Sequence, residues 1–173
     1  MFPIAAGIGI ALCAWRWGDW RNWRVYLPTI HYFIIFDLLY NLFTWNHRLW
    51  EYPSPPNLLP NHLTMNLFIT FIFYPSFILI YLYRYPEGGS VAARVKYVLS
   101  WAALWAAWEL CMYALGQCVY HHGWNFGWSL AFLLVMIPML RLHYKNPLVA
   151  YALSIPITVF LLLWFQVPVL QLN

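Results

Sequence analysis

The chain has 173 residues, of which 64% are hydrophobic and only 8% are charged, and its mean hydropathy is +0.61. This composition excludes an ordinary soluble domain and is typical of an integral membrane protein, so the lipid bilayer is the first expected partner. Nine Lys and Arg residues against five Asp and Glu residues give a pI near 9.0. In a membrane protein this excess reports topology, and we expect no nucleic-acid partner.

The first apolar segment, residues 2–15, is short. At about 1.5 Å per residue it reaches roughly 22 Å, against a hydrocarbon core of about 30 Å. No basic region precedes it and no small-residue cleavage site follows it, so we expect it to be retained. Residues 16–24 then alternate Arg with Trp, a mixture that marks a membrane–water interface.

Five further apolar segments follow, at residues 25–44, 63–83, 97–117, 126–142 and 148–165. Pro28 falls in the first turn of its segment, Pro75 predicts a kink, and Pro147 marks the start of the last segment. The loop at residues 45–61 holds four prolines and cannot be helical throughout. The sequence therefore predicts a single all-α, membrane-embedded domain over residues 1–173, with about six membrane segments.

The basic residues predict how these segments are oriented. If successive segments cross alternately, eight of the nine Lys and Arg side chains fall on one side and only Arg48 on the other. This is the positive-inside pattern, and it predicts a multi-pass plasma-membrane protein with both termini outside, provided that the short first segment crosses.

Asp37 and Glu109 are acidic residues within apolar segments. An Asp at the centre of a spanning helix costs roughly 2.5–3.5 kcal/mol on insertion scales, so such acids are functional candidates. Asp37 lies twelve residues after the start of its segment at Val25, and Glu109 lies twelve residues after the start of its segment at Tyr97. Both starts are on the side of the basic residues, so each acid lies at a depth of roughly 18 Å from that side. We therefore expect the two carboxyl groups to share one polar chamber.

Polar side chains at helical spacing support a lined chamber. Each stripe lies on one face of its segment, and together they predict a ligand- or proton-binding site built on Asp37, Asn41, Asn66, Glu109 and Tyr113. The stripes are Asp37, Tyr40, Asn41 and Thr44; Asn66, Thr70 and Tyr74; Trp105, Glu109, Tyr113 and Gln117; and Asn125 with Ser129. The alternative is that these groups only join helix to helix, at about 0.6 kcal/mol each.

Four of the six histidines, His47, His62, His121 and His122, lie in loops on the side that lacks the basic residues. Neutral imidazole is a common ligand of Zn²⁺, although no H-x-x-x-H or H-E-x-x-H spacing is present. The three cysteines lack C-x-x-C spacing and indicate neither disulfides nor a thiolate metal site. The four histidines are therefore a candidate zinc site, and the sequence indicates no other cofactor.

Three functions are compatible with these features. The first is an outward-facing polar chamber that binds or transports a small ligand, a cation or a proton through Asp37 and Glu109. The second is a metal-dependent hydrolase or transferase that acts on lipid-like substrates, with Zn²⁺ activating water. The third is a structural or assembly subunit that contacts a second copy of itself or another membrane protein. The first is the preferred hypothesis.

Several short runs resemble a known family. They are Leu39-Tyr40-Asn41, Asn46-His47-x-Leu49-Trp50-Glu51, Leu59-Pro60-Asn61-His62, Tyr120-His121-x-Gly123-Trp124-Asn125 and Pro138-Met139-x-Arg141-x-His143-Tyr144. Together they resemble uncharacterised small multi-pass membrane proteins of spore-forming Firmicutes, over residues 20–165. The resemblance implies a multi-pass topology and assigns no catalytic residue.

Overall fold

The described residues form six helical rods joined by short connections. The structure, a computed structural model, describes residues 2–53 and 58–169. Pro55 and Pro56 of the predicted proline-rich loop lie outside this range. The elements are α1 (Phe2–Trp17), a 3₁₀ turn (Trp20–Asn22), α2 (Trp23–Phe43), β1 (Trp50–Glu51), α3 (His62–Phe68), a π-helical turn (Ile69–Phe73), α4 (Tyr74–Tyr83), α5 (Val91–Ala114), β2 (Val119–Tyr120), α6 (Phe126–Lys145) and α7 (Pro147–Trp164).

The prediction of an all-α fold is confirmed, and four of the rods are long and apolar enough to cross a membrane. They are Trp20–Phe43, His62–Tyr83, Phe126–Lys145 and Pro147–Trp164. Helix α1 is too short, at 16 residues. Helix α5 is long enough, at 24 residues, but it is less apolar than these four rods, because it contains Arg94, Lys96 and Glu109 as well as three Trp. Helix α5 also starts six residues earlier than predicted, because the Ser90 side chain caps it by accepting a hydrogen bond from the Ala93 N–H.

Helices α3 and α4 form one continuous rod through the π-helical turn. Asn61 and Thr64 form a capping box that starts the rod at His62. Pro75, near the start of α4, has no N–H to donate to the preceding turn, and the wider π-helical turn immediately before it accommodates this loss. The predicted kink at Pro75 is therefore a π-helical turn.

Helix α4 lies at the centre of the bundle. Phe77, Ile78 and Tyr81 are fully buried in it, and α1, α2 and α6 pack around it. Helix α6 in turn packs along α2, α5 and α7, whereas α2 and α7 approach each other much less closely. A gap therefore remains between α2 and α7, with α6 behind it.

One end of the bundle is closed by the two short strands. They pair antiparallel, with Trp50 opposite Tyr120 and Glu51 opposite Val119, and the pairing continues with a 2.9 Å bond from the His121 N–H to the Leu49 carbonyl. We call residues 49–51 and 119–121 the cover, and this end of the bundle the cover end. The cover ties the loop after α2 to the loop after α5.

Candidate functional site

The Asp37 carboxylate is held by three hydrogen-bond donors from the neighbouring rod. Oδ2 accepts from Asn66 Nδ2 at 2.8 Å and from the Thr70 hydroxyl at 2.7 Å, and Oδ1 accepts from the Tyr74 hydroxyl at 2.9 Å. Asn66 and Thr70 are one helical turn apart, and the π-helical turn between Thr70 and Tyr74 brings the third donor to the same carboxylate. The carboxylate is therefore held in one orientation.

Asp37 forms no ion pair with any described residue. The ion pairs in residues 2–53 and 58–169 involve Glu51 of β1 and Glu87 of the loop before α5, at opposite ends of the bundle. Asp37 is partly buried, and a partly buried carboxylate without a cation is unfavourable even with three neutral donors. The site thus offers an oriented carboxyl group that has no cationic partner among the described residues.

A cavity of about 180 Å³ lies beside Asp37, between α2, α6 and α7. Nine aromatic side chains line it, and Asp37 is the one charged group among its described lining residues. The aromatic residues are Tyr32, Phe33, Phe36, Tyr40, Phe43, Trp50, Tyr74, Trp124 and Phe132. We call this space the Asp37 cavity. Its lining is mainly apolar, whereas the sequence predicts a polar chamber at Asp37.

The cover closes the Asp37 cavity at one end. Trp50 stacks on Tyr40 with ring centroids 3.9 Å apart, and the Tyr40 hydroxyl accepts hydrogen bonds from the Leu49 and Trp50 N–H groups at 3.2 and 3.4 Å. Trp124 lies against Trp50 at 5.2 Å and donates through Nε1 to the Ser129 hydroxyl at 2.8 Å. Trp50 of the cover is thus held between the rings of Tyr40 and Trp124, each of which is fixed by a polar bond of its own.

The opposite end of the Asp37 cavity is closed by a polar cluster between α2, α6 and α7. The hydroxyls of Tyr32 and Ser154 lie 2.6 Å apart, which joins α2 to α7. The Tyr32 ring stacks on His143 at 4.2 Å, and His143 Nδ1 lies 3.0 Å from the Thr29 hydroxyl. Thr29 and His143 are buried, so this cluster seals the cavity.

Glu109 lines a second cavity, of about 120 Å³, instead of the one beside Asp37. The Tyr120 hydroxyl donates to Glu109 at 2.6 Å. Burial and the neighbouring Glu109 raise the pKa of Cys118 to about 12, and the same two influences raise the pKa of Tyr120, so both groups are neutral at pH 7. We call this space the Glu109 cavity.

The two cavities share a wall of apolar side chains: Phe33, Trp50, Tyr74, Trp124, Phe132 and Met136. The predicted single chamber for Asp37 and Glu109 is therefore two adjoining cavities. Residue counts predict that the two acids lie at one level of the bundle. The rotation of each helix about its axis places them on opposite sides of this wall.

The other predicted site residues have different positions. Asn66 contacts the Asp37 carboxylate directly. Asn41 donates instead to the Asp37 backbone carbonyl at 2.8 Å, a bond within α2. Tyr113 is 53% exposed and stacks on Tyr120 with centroids 5.2 Å apart. Of the predicted neighbours, only Asn66 is bound to the carboxylate.

The four predicted metal-binding histidines do not meet at one point. His47 stacks on His122 at 3.6 Å and donates through Nε2 to the Phe165 carbonyl at 3.0 Å, while His62 lies elsewhere and accepts from the Tyr52 N–H at 3.2 Å. His121 lies 3.5 Å from Glu51. Within residues 2–53 and 58–169, no three His, Cys, Asp or Glu side chains are placed to hold a metal ion.

Burial and the neighbouring imidazoles of His47 and His121 lower the pKa of His122. His122 is therefore neutral at pH 7. This agrees with its close stacking on His47, because two imidazolium rings at that distance would repel each other.

Sequence reasoning missed most of the lining of the Asp37 cavity. Tyr32, Ser154 and Thr158 lie within apolar segments, where each looked like an isolated polar group, and Trp50 and Trp124 lie in loops, where aromatic residues suggest interface anchors. The available signal was the placement of Tyr32 inside a spanning segment, away from its ends. Comparison with protein-family models, with curated proteins and with solved structures gives no match.

Proposed function

We propose that this chain is a multi-pass integral membrane protein that binds a small organic cation, an ammonium group on an apolar body, in the Asp37 cavity. The observation that carries the proposal is one carboxylate, oriented by three donors and without a cationic partner among the described residues, in a cavity lined by nine aromatic rings.

Placement in a membrane is supported by the four long apolar rods and by the large apolar side chains on the surface. Leu148 is 83% exposed, Trp15 77%, Val91 75% and Leu163 73%. Apolar surface on this scale is unfavourable in water and favourable in lipid. With the basic residues on the cytoplasmic side, the cover end faces outside, as do both termini if α1 crosses.

The aromatic lining and the carboxylate recognise complementary parts of such a ligand. Aromatic faces attract a desolvated cation by about 2 kcal/mol or more each in favourable geometry, and they also pack against an apolar body. The carboxylate supplies the opposite charge. An ammonium ligand thereby gives Asp37 the ion pair that the described residues do not provide, and in its absence a proton can neutralise the same group.

The three protein donors leave one acceptor position of the Asp37 carboxylate free. An ionised carboxylate has about four acceptor positions, and here Oδ2 uses two and Oδ1 one. The remaining position is on Oδ1, the oxygen that also accepts from Tyr74. The positive charge of an ammonium ligand, including a quaternary one, can therefore approach this oxygen without displacing a protein donor.

The test is binding of radiolabelled phenyltrimethylammonium to the purified protein in lipid nanodiscs, compared between the wild type and Asp37→Asn. The substitution keeps the shape of the side chain and removes its charge. We expect an approximately 100-fold loss of affinity, the order of magnitude for truncating one partner of a buried charge pair. Glu109→Gln is the matched control, because Glu109 lies outside the Asp37 cavity, and we expect it to change affinity less than about threefold.

Two results would overturn the proposal. One is the absence of saturable binding to the wild-type protein, and the other is equal affinity of the wild type and Asp37→Asn. Loss of folding in Asp37→Asn, followed by its size-exclusion profile, together with a wild type that binds nothing, would instead identify Asp37 as a structural group that holds α2 to the neighbouring rod.

A further inference from the structure

The Asp37 cavity is closed at both ends and on one side. At the cover end, Leu49, Trp124 and Phe165 are buried together in one apolar cluster. At the other end, the Tyr32–Ser154 bond and buried His143 seal it. Helix α6 forms the back wall. A ligand therefore has no open path along the bundle axis from either aqueous side.

The remaining side is the gap between α2 and α7. Phe36, Leu39 and Phe43 line the cavity from α2, and Ile157, Thr158 and Leu161 line it from α7; all six keep partial exposure. The Tyr32–Ser154 bond lies at one end of the gap, and the bond from His47 to the Phe165 carbonyl lies at the other. Between these two bonds, no side-chain hydrogen bond among the described residues joins α2 to α7.

The gap is long enough to admit a ligand. From Ser154 to Phe165 there are eleven residues, which correspond to about 16 Å along a helix axis. The apolar residues beside the gap that point outward, Leu42 on α2 and Val159 on α7, are 54% and 48% exposed. In a membrane this opening faces lipid tails instead of water.

The geometry points to lateral entry: the ligand of the Asp37 cavity is a membrane-dissolved amphiphilic ammonium that enters from the bilayer between α2 and α7. This inference rests on the proposed function. The hydrocarbon part of the ligand moves through the apolar gap, and the charged part forms an ion pair with Asp37. The two bonds that bracket the gap fix the spacing of α2 and α7 at its two ends.

The first test compares two ligands that differ in how strongly they partition into lipid. Butyltrimethylammonium and octyltrimethylammonium differ by four methylenes, which corresponds to a roughly 200-fold difference in membrane partitioning. If the ligand enters from the bilayer, the association rate constant per aqueous concentration rises with partitioning, by up to about that factor. Entry from water predicts rate constants within about threefold of each other, because the headgroup and its steering are the same.

The second test changes the gap itself, with radiolabelled octyltrimethylammonium in nanodiscs. Leu39→Trp narrows the opening, so we expect association and dissociation both to slow by roughly tenfold, while Leu39→Ala accelerates both. Leu38→Trp is the matched control, because Leu38 is the adjacent residue, is exposed and does not line the cavity. We expect Leu38→Trp to leave both rates within about twofold of the wild type.

Failure of the inference and failure of the proposed function give different results. Binding that depends on Asp37 but has the same rates in Leu39→Trp and Leu38→Trp, or the same association rate for both homologues, would overturn lateral entry and leave the ammonium site intact. Absence of binding that depends on Asp37 would overturn both.

Discussion

Tyr74→Phe removes one donor from the Asp37 carboxylate and changes little else. The Tyr74 ring stacks on Phe33 with centroids 4.0 Å apart, and phenylalanine can keep that contact. What is lost is the 2.9 Å hydrogen bond to Oδ1. A hydrogen bond to a charged group contributes about 1.5–3 kcal/mol, against about 0.5–1.5 kcal/mol for a neutral pair. The free energy of unfolding should therefore fall by about 1.5–3 kcal/mol if Asp37 is ionised.

The measurement is reversible denaturation in mixed micelles, with the same substitution repeated in an Asp37→Asn background. There the hydroxyl faces a neutral amide, so Tyr74→Phe should cost about 1 kcal/mol, and the difference between the two backgrounds gives the contribution of the charge. Tyr113→Phe is the control, since Tyr113 is half exposed and its hydroxyl bonds to no described residue. A cost below about 0.5 kcal/mol in the wild-type background would refute the description of Asp37 as a carboxylate held by its donors.

Two further predictions concern parts of the structure outside the Asp37 cavity. Gly7→Ala should destabilise the protein by about 1–3 kcal/mol, because the added methyl would meet the Phe68 ring and lie 3.1 Å from Phe73 Cε2. Gly9→Ala is the control and should be neutral or slightly stabilising, because Gly9 has open space around it. Equal effects of the two substitutions in thermal unfolding would contradict the packing of α1 on the π-helical turn. NMR titration should show a pKa for His122 below the usual 6.5, and this pKa should rise in His47→Gln. Because the pKa is lower in the folded state than in the unfolded state, the stability linked to His122 is present above about pH 6.5 and is lost as the pH falls below that value. A titration midpoint that is unchanged in His47→Gln would contradict the contribution of the stacked imidazole.

The helices of this fold could be predicted from hydropathy and proline positions. Each predicted segment overlaps one rod, since a run of about twenty apolar residues in lipid has the helix as its only satisfied conformation other than a closed barrel. The stripe of Asn66, Thr70 and Tyr74 could also be predicted, because residues four apart share a helix face. These three are the donors to Asp37 in the structure.

The arrangement around the helix axes could not be predicted in the same way. Residue count predicts a similar depth for Asp37 and Glu109, but it does not predict the rotation of each helix, which depends on packing. In the structure the two acids line different cavities. The cover consists of strands of two residues each, too short for any alternation to show in the sequence. Loop histidines have no fixed periodicity, and the pairing of His47 with His122 instead of His62 depends on how the cover folds.

The chemistry of the Asp37 cavity also favours an organic cation over an inorganic one. A hard metal ion must exchange its hydration shell for six or more oxygen ligands, and the cavity offers one carboxylate, already bound by three donors, with hydroxyls as the remaining polar groups among its described lining residues. Its nine aromatic rings cannot replace that shell of oxygens. An ammonium group with apolar substituents is weakly hydrated, is attracted to the ring faces, and needs only one opposite charge. Asp37 provides that charge, and the rings provide the remaining contacts.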